Sequence, residues 1–297
     1  MPTPDQSKRT QLTHFAQNAF LSLIMRSILA LPYRARVRMM GWVVSWVIAP
    51  LAGYPKRVIA NLDLAWPSLP AAEKKRLARA VPNNFGRTLI EIYSGAEYKE
   101  HLAQTPLEGP GVDALQEAHA AGRPIILVSG HFGNHDAIRA TVSERFSAVG
   151  ALYRPLGNSY INAHWENAVQ GIASPAFARG RRGLAEMVKY LRQGNIIALL
   201  VDQYVQEGAD LTFFGKQART TLSAAELALK YDALFLPVFG LRKADGIGFH
   251  PILQEPIAHS TAVQMAQEMN DRLEEMVRQH PEQWFWVHRR WKDIEAG

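Results

Sequence analysis

The second half of the chain alternates short apolar runs with amphipathic stretches, and this alternation restricts the fold more than any other sequence feature. The apolar runs, rich in β-formers, lie at residues 125–128, 148–153, 196–201, 234–239 and 248–253. Helical patterns lie near residues 135–146, 159–171, 183–193, 222–230 and 262–279. Strands that alternate with helices form a mainly parallel, twisted sheet with helices on both faces. The sequence therefore predicts an α/β fold.

A Pro- and Gly-rich stretch at residues 105–111 separates this half from a first part that is predicted to be helical. Helical patterns precede it at residues 56–63, 71–79 and 84–93. We expect a helical region over residues 1–104 and the α/β core over residues 105–297. The 297 residues are 47% hydrophobic, enough for a large core. The chain has no cysteine, which excludes disulfides, thiolate nucleophiles and Cys-ligated zinc.

The segment after the first predicted strand, residues 129–136, reads Ser-Gly-His-Phe-Gly-Asn-His-Asp. On a continuous helix, His131 and Asp136 would point about 140° apart, at roughly 100° per residue. A turn removes this obstacle, because Gly133 can supply a positive φ and Asn134 can cap the helix that follows. We predict that the Asp136 carboxylate orients the His131 imidazole, whose other nitrogen can then take a proton from an alcohol.

Charged side chains also follow two later strands, Arg154 after the second and Asp202 after the third. Ligands of parallel sheets bind beyond the carboxyl ends of the strands, so we expect His131, Arg154 and Asp202 to gather at that edge. Arg154 can hold a phosphate through two parallel hydrogen bonds, or form a surface ion pair. Asp202 follows a very apolar strand and needs partners, among which Arg154 is a candidate. A capping or turn role for Asp202 is the alternative.

Other basic residues are candidates for binding an anionic substrate. Arg179, Arg181 and Arg182 form a local cluster, and Lys216 follows a Phe-Phe-Gly turn; solvated surface charge is the alternative for each. The net charge of +6 and the pI near 9.5 predict an anionic partner, either a lipid, an acidic carrier protein or a nucleic acid. Nucleic acid is disfavoured because the basic residues alternate with long apolar runs and no recognition motif is present.

Residues 6–62 contain no Asp or Glu. The basic residues among them are Lys8, Arg9, Arg26, Arg34, Arg36, Arg38, Lys56 and Arg57. Apolar stretches lie at residues 19–32 and 39–53, and the second, with Trp42 and Trp46, would rise about 22 Å as a helix, short of the roughly 30 Å hydrocarbon core. This pattern is typical of a helix in the interface of an anionic membrane. We therefore expect a membrane-proximal helical region; a buried helical hairpin with solvated arginines is the alternative.

The segment Gly-His-Phe-Gly-Asn-His-Asp is similar to the His-x4-Asp/Glu motif of the glycerolipid and lysophospholipid acyltransferases, and most closely to their lipid A late acyltransferase branch. Other segments resemble that branch in the same order: Tyr-Arg-Pro at 153–155, Leu-Val-Asp-Gln at 200–203, Phe-Phe-Gly-Lys at 213–216, and residues 281–292. The resemblance thus covers nearly the whole chain. It departs at His135 and Asp136, where the branch often has Trp-Glu.

This resemblance implies an O-acyltransferase that needs no cofactor. In it, His131, oriented by Asp136, would deprotonate a hydroxyl that attacks an acyl thioester directly, without an acyl-enzyme. Backbone amides of the turn at Gly133 and Asn134, or the nearby cation Arg154, would stabilise the tetrahedral oxyanion.

The resemblance also implies the partners. The donor would be an acyl carrier protein thioester, or acyl-coenzyme A, and the acceptor a phosphorylated glycolipid that is a lipid A precursor. The protein would bind the cytoplasmic face of the inner membrane, peripherally or monotopically. By this resemblance, Arg154 would bind the phosphorylated acceptor. Asp202, Lys216 and Arg179 complete the candidate substrate-binding residues.

Three alternatives stay open. The acceptor could be another glycolipid or a phospholipid. The protein could be a hydrolase in which His131, His135 and Asp136 bind zinc or iron, although the chain lacks the His-Glu-x-x-His arrangement, so we expect no metal. It could also be a membrane-binding protein without catalytic activity.

Overall fold

The first part of the chain is helical in the computed structural model, which describes residue 19 and residues 22–295. Residues 22–29 form a helix, and Val44–Ile48 form a π-helical turn. The helices that follow are α1 (Tyr33–Val43), α2 (Ala49–Leu51), α3 (Tyr54–Ala65), α4 (Ala71–Tyr93), α5 (Gly95–Ala103) and α6 (Gly111–Ala120). Lys8, Arg9 and positions 20 and 21 of the first apolar stretch lie outside the described residues.

The helices predicted at residues 71–79 and 84–93 are one helix, α4, which continues through Pro82. An interior proline removes one backbone donor and normally breaks a helix. Here the helix is buried against α1: a Cβ added at Gly86 of α4 would lie 2.7 Å from the Met40 carbonyl oxygen. We attribute the unbroken helix to this packing, which outweighs the local preference at Pro82.

The main sheet has six strands in the spatial order β3-β2-β4-β1-β7-β8. They are β1 (Ile125–Ser129), β2 (Val149–Tyr153), β3 (Ala176–Ala178), β4 (Ile196–Leu200), β7 (Leu234–Arg242) and β8 (Phe249–Leu253). All neighbours are parallel except β7 and β8, which are antiparallel. This confirms the predicted α/β class and every predicted strand. The prediction missed β3, which has only three residues.

Helices cover both faces of the sheet. They are α7 (His135–Arg145), α8 (Ser159–Ile172), α9 (Arg181–Leu191), α10 (Ser223–Tyr231), α11 (Ala262–Gln279) and α12 (Lys292–Glu295). Alternate residues of β1 enter different cores, as the pleat requires. Ile126 and Val128 pack with residues of α10 and α11, whereas Ile125 and Leu127 pack with residues of α6 and α7.

Two further strands, β5 (Ala209–Phe213) and β6 (Lys216–Thr220), form a separate antiparallel hairpin. The sequence analysis did not predict this hairpin. Its two-residue turn has φ of 54° at Phe214 and 66° at Gly215, as a type I′ turn requires. Asn-Gly or Asp-Gly usually signals such a turn, and a phenylalanine at its first position hid it.

The C-terminal segment packs on this hairpin through buried tryptophans. The rings of Trp284 and Trp291 lie 5.3 and 5.9 Å from that of Phe213, between centroids. Asn61 of α3 donates from its side-chain amide to the carbonyl of Trp286 at 2.6 Å. The predicted boundary after residue 104 stays a prediction, although side chains from both sides of it share one apolar core.

Candidate active site

The segment after β1 and the segment after β4 meet at the carboxyl edge of the sheet, because these two strands are parallel neighbours. Asp202 Oδ1 lies 2.7 Å from His131 Nδ1, and Asp202 Oδ2 accepts the backbone N–H of His131 at 2.8 Å. The indole N–H of Trp284 also donates to Oδ2, at 2.8 Å. This arrangement assigns the Nδ1 proton to the side of the carboxylate and leaves Nε2 of His131 unprotonated, as an acceptor, in the neutral ring.

The two members of this pair differ in exposure and charge. The Asp202 side chain is fully buried, whereas 26% of the His131 side chain is exposed. Burial alone raises the pKa of Asp202, but protonated His131, its hydrogen bonds and His288 outweigh this and hold the pKa well below its ordinary value. Asp202 therefore stays a carboxylate at neutral pH and stabilises positive charge on His131.

Gln203 and His288 lie beside Nε2 of His131, the ring nitrogen that faces away from Asp202. Gln203 Nε2 is 3.4 Å from His131 Nε2 and 3.3 Å from His288 Nε2. The His288 and His131 rings lie 4.7 Å apart, between centroids. Burial, and then the positive charge of protonated His131, lower the pKa of His288 to about 4. His288 is thus a neutral neighbour of His131 at pH 7, and sequence analysis missed it.

Asp202, and not Asp136, is the carboxylate that contacts His131 in the described part of the chain, which corrects the predicted pairing. Asp136 lies in the first turn of α7, where its carboxylate accepts from the Arg139 guanidinium. Burial alone raises the pKa of Asp136, but the Arg139 charge and then His135 outweigh this and lower it. His135 Nε2 lies 3.7 Å from Asp136 Oδ2. The turn directs His131 to the sheet edge, while α7 holds Asp136 beside Arg139.

The turn between them depends on Gly133, which has a φ of 56°. A Cβ at this position would lie 2.0 Å from the Gly240 carbonyl oxygen of β7, so only glycine can occupy it. Asn134 caps α7 by accepting the backbone N–H of Asp136 at 3.0 Å.

The backbone amides of this turn already have acceptors within the protein. Gly133 N–H donates to the Gln283 carbonyl at 2.8 Å, and Asn134 N–H donates to the Gly240 carbonyl at 2.9 Å. The predicted oxyanion role of Gly133 and Asn134 would therefore break two backbone hydrogen bonds. The exposed carboxamide of Gln203 suits that role better, because among the described residues its nitrogen contacts only the two imidazole rings and its use would break no backbone hydrogen bond.

A buried network supports the turn from α4 and β7, and sequence analysis missed it. Glu91 is fully buried and accepts the Asn134 side-chain amide at 2.8 Å. The same carboxylate accepts hydrogen bonds from both terminal nitrogens, Nη1 and Nη2, of the Arg242 guanidinium. Thr88 donates its hydroxyl to the Gly133 carbonyl at 3.1 Å. Glu91 stands in the run Leu-Ile-Glu-Ile-Tyr, and a carboxylate on such an apolar stretch is a signal for a buried pair.

The remaining predicted site residues lie around this centre. Arg154 follows β2 and is exposed at the carboxyl edge of the sheet. It is not the predicted partner of Asp202, whose oxygens are taken by His131 and Trp284. Arg179 follows β3 and is exposed, and its backbone N–H donates to the Tyr153 carbonyl at 2.7 Å. The half-buried Lys216 begins β6 of the separate hairpin.

Among the described residues, the side chains that approach one another closely enough to share a metal ion are His131, Asp202 and His288, with one ligand atom of each within 4.8 Å of the others. This set differs from the predicted His131, His135 and Asp136. Both oxygens of Asp202 already accept N–H hydrogen bonds. The donor set therefore suits a hydrogen-bonded pair better than metal coordination, in which those donors would compete with the ion.

The geometry is that of an α/β enzyme with a histidine–carboxylate pair at the carboxyl edge of its sheet. Residues 4–293 match the family model described as bacterial lipid A biosynthesis acyltransferase, and the chain belongs to that family. This confirms the resemblance drawn from the motifs. The protein is an acyltransferase.

Several characterised relatives are similar over most of the chain. The lipid A biosynthesis lauroyltransferase of Escherichia coli K12 is 26% identical over 248 residues, which are 82% of this chain and 80% of the relative. The palmitoleoyltransferase of the same strain is 27% identical over 242 residues, 80% of this chain and 78% of the relative. A phosphatidylinositol mannoside acyltransferase of Mycobacterium tuberculosis is 22% identical over 245 residues, again 80% and 78%.

Proposed function

We propose that this acyltransferase moves a fatty acyl chain from an acyl carrier protein thioester to a hydroxyl of a lipid A precursor. The observation that carries the proposal is the His131–Asp202 pair, in which a buried carboxylate fixes one nitrogen of a partly exposed imidazole and the other nitrogen faces away from the carboxylate. Relatives named for lauroyl and palmitoleoyl transfer in lipid A biosynthesis support the substrate class.

His131 acts as the base in the proposed reaction. Its Nε2 takes the proton of the acceptor hydroxyl as the oxygen attacks the thioester carbonyl. Asp202 stabilises the imidazolium that forms. The tetrahedral intermediate then expels the thiolate, the imidazolium returns its proton to sulfur, and the products are an ester and a free thiol. No serine or cysteine acyl-enzyme is needed, because the acceptor attacks directly.

Gln203 is the proposed donor to the oxyanion. Its carboxamide nitrogen lies 3.4 Å from His131 Nε2, so it can reach an oxygen that develops charge beside that nitrogen. Loss of one such donor typically costs about 10²- to 10³-fold in kcat. Arg154 is exposed at the same edge and is proposed to bind a phosphate of the acceptor. Arg179 and Lys216 are further candidates for that phosphate.

Asp136 is proposed to act through structure. With Arg139 it stabilises the first turn of α7, the helix that Asn134 caps. Arg139 also donates to the carbonyl of Ala173 at 2.8 Å, which ties this turn to the end of α8. Asp136 thus keeps the turn before α7, and with it His131, in place.

An exposed apolar ridge along α1, the π-helical turn and α2 supports membrane association. Trp42, Trp46, Val47, Ile48 and Leu51 are 56, 49, 44, 44 and 86% exposed. Within the described residues, no single helix is long and apolar enough to cross a bilayer; the pair Tyr33–Leu51 and Tyr54–Ala65 passes the test together but is bent by 85°. We propose that this ridge enters the interface of the cytoplasmic face of the inner membrane, monotopically.

The basic residues predicted to face anionic headgroups are only partly available. Arg34, Arg38 and Lys56 are exposed. Arg36 is instead buried and pairs with Glu97 of α5. Its role is therefore to join two helices, because a guanidinium inside the protein cannot reach a lipid headgroup.

The proposed reaction is tested by following acceptor mass. Wild-type and His131→Ala protein are incubated in neutral detergent with a lipid A precursor and either the carrier protein thioester or acyl-coenzyme A. We expect an acyl-sized mass gain with the wild type and the carrier thioester, and none with the variant. A mass gain seen only with acyl-coenzyme A would show that acyl-coenzyme A, and not the carrier protein thioester, is the donor. An intact thioester together with a stoichiometric bound metal would contradict the proposal and favour the metal hydrolase.

A further inference from the structure

A cleft of about 600 Å³ lies between α4, the π-helical turn and the connection from β7 to β8. Residues that line it include Ser45, Trp46, Arg79, Asn84, Arg87 and Lys243. Of the residues that surround the reacting nitrogen in the described structure, none of His131, Asp202, Gln203 and His288 lines this cleft. It is therefore a separate feature from the proposed catalytic centre.

The cleft carries positive charge that is not neutralised by carboxylates at ion-pair distance. Arg79 stacks on the Trp46 ring at 3.9 Å from its centroid. Arg87 donates to neutral acceptors, the Asn83 side chain at 2.7 Å and the Gly246 carbonyl at 2.9 Å. Lys243 is exposed. For these three cations, the described part of the chain shows no ion pair within 4.0 Å.

Acidic groups near the cleft are committed elsewhere. Glu282 lines it but lies 3.6 Å from Arg76, which also pairs with Glu73. Asp245, in the β7–β8 connection, accepts two backbone N–H groups at 2.9 Å and attracts Arg87 only at longer range. Burial lowers the pKa of Arg87, and the charge of neighbouring Arg242 lowers it further, whereas Glu91 and Asp245 act in the opposite direction. An anion in the cleft would pair with cations that have no carboxylate at ion-pair distance among the described residues.

Trp46 joins the cleft to the apolar ridge. It lines the cleft and is also 49% exposed, beside Val47 and Ile48. A ligand with an anionic head in the cleft and apolar chains along the ridge matches both surfaces. Arginine and lysine bind phosphate, and tryptophan prefers the headgroup level of a bilayer. We propose that the cleft binds the phosphate of an anionic phospholipid of the bilayer, a site that rests on the proposed membrane association and not on the proposed reaction.

The walls of the cleft also hold the turn that carries His131. Asn84 donates its side-chain amide to the Gly133 carbonyl at 3.1 Å, and accepts from Arg242 Nε at 2.8 Å. The Gln283 carbonyl, from another lining residue, accepts the Gly133 N–H. A bound headgroup that stabilises this wall would stabilise the turn as well. We expect an anionic phospholipid to raise the rate of acyl transfer.

Vesicle partitioning tests the site. Wild type, the cleft variant Arg79→Gln/Lys243→Gln and a control variant Arg192→Gln/Lys230→Gln are compared on phosphatidylcholine vesicles with and without phosphatidylglycerol, at constant salt. Both variants lose two exposed positive charges, but the control pair contacts Tyr231, away from the cleft. We expect the cleft variant to lose about tenfold or more of its binding to the anionic vesicles, and the control less than threefold. Equal losses would overturn the site.

Two further arms identify the ligand. A thermal shift by inorganic phosphate that the cleft variant loses, with vesicle binding unchanged, would assign the cleft to free phosphate and overturn the lipid source. In neutral micelles, a raised KM for the lipid A precursor in the cleft variant would make the cleft part of the acceptor site and overturn it too. Phosphatidylglycerol should speed the wild type and the control but not the cleft variant. Vesicle partitioning does not depend on acyl transfer, so the proposed phospholipid site and the proposed reaction can fail independently.

Discussion

Asp202 is the residue on which the proposed chemistry depends most, after His131 itself. It is fully buried, and its two oxygens receive three N–H groups, two from His131 and one from Trp284. Such a carboxylate fixes both the position and the tautomer of the imidazole. A carboxamide at this position would keep the shape but lose the charge that stabilises the imidazolium.

Asp202→Asn should therefore lower kcat by about 10²- to 10⁴-fold with little change in the melting temperature. Asp136→Asn, the matched substitution, should mainly lower stability, because it leaves Arg139 buried beside a neutral partner. Steady-state kinetics and thermal unfolding of both variants separate the two effects. Greater loss of kcat in folded Asp136→Asn than in Asp202→Asn would restore the pairing first expected from the sequence.

Histidine protonation should make the fold sensitive to acid. His135 and His288 have pKa values lowered to about 4, mainly by burial, below the ordinary value of 6.5. A lowered folded-state pKa means that the unfolded chain binds more protons between pH 4 and 6.5, so stability falls as the pH falls through this window. Between pH 7 and pH 4.5, the protonation of each histidine lowers the free energy of unfolding by up to about 2–3 kcal/mol.

Urea unfolding at pH 7 and at pH 4.5 measures this effect. His288→Gln should lose less stability on acidification than the wild type, because it removes one of the two groups. An identical pH dependence in the variant would contradict the role assigned to His288.

At the residue scale, the sequence placed His131 and Asp202 correctly after neighbouring strands but paired His131 with Asp136. The spacing of five residues made that contact possible, yet spacing carries no information on where a neighbouring strand ends in space. His288 lay beyond prediction for the same reason, since it approaches His131 from the C-terminal segment. Glu91 was within reach, as a carboxylate on an apolar run needs a buried partner.

At the scale of elements, α4 and β7 support the catalytic turn through the Glu91–Arg242 pair. Both side chains are buried, at 0% and 5% exposure. A buried pair is costly to break, because the partner left behind is an uncompensated charge, whereas replacing both members can be nearly neutral.

Glu91→Leu should destabilise the protein by about 3–5 kcal/mol, and the double variant Glu91→Leu/Arg242→Met should recover much of that loss. Glu73→Leu, which removes a half-exposed pair with Arg76 on the same helix, should cost less than about 1 kcal/mol. Urea midpoints at pH 7 measure all three variants. A double variant no more stable than Glu91→Leu alone would contradict the cost of an unpaired buried Arg242.

The alternation of strands and helices predicted the sheet because parallel strands are buried on both faces and read as continuous apolar runs. The elements it missed lack that signature. β3 has three residues, and the β5–β6 hairpin exposes one face, with Asp210 and Arg219 outside and Leu211 and Phe213 inside. The two helices predicted within 71–93 merged because packing overrode the proline, which local pattern does not record.

At the scale of the whole molecule, the apolar ridge that we propose as the membrane contact and the proposed catalytic edge would serve one membrane. The ridge places its tryptophans on the same helical layer that packs against α4, and α4 contacts the turn of His131 through Thr88 and Asn84. Substrate lipids that enter from the bilayer would therefore meet a catalytic turn fixed to the membrane-binding layer.

Trp42→Ser/Leu51→Ser should weaken binding to vesicles by about 2–4 kcal/mol, because both side chains are more than half exposed and would enter the lipid interface. Leu184→Ser/Val263→Ser removes apolar groups that are 45 and 47% exposed elsewhere and should leave binding within about 0.5 kcal/mol of the wild type. Co-sedimentation with vesicles measures both. Equal binding by the two double variants would contradict the ridge as the membrane contact.

The most direct test of His131 as the base is the initial rate of acyl transfer by His131→Gln, measured by mass spectrometry with the carrier protein thioester and the lipid A precursor. Glutamine retains a hydrogen-bonding group for Asp202 but cannot take the hydroxyl proton. We expect a rate at least about 10³-fold below that of the wild type, in a protein that melts at nearly the same temperature. A folded variant that retains a tenth or more of the wild-type rate would contradict it.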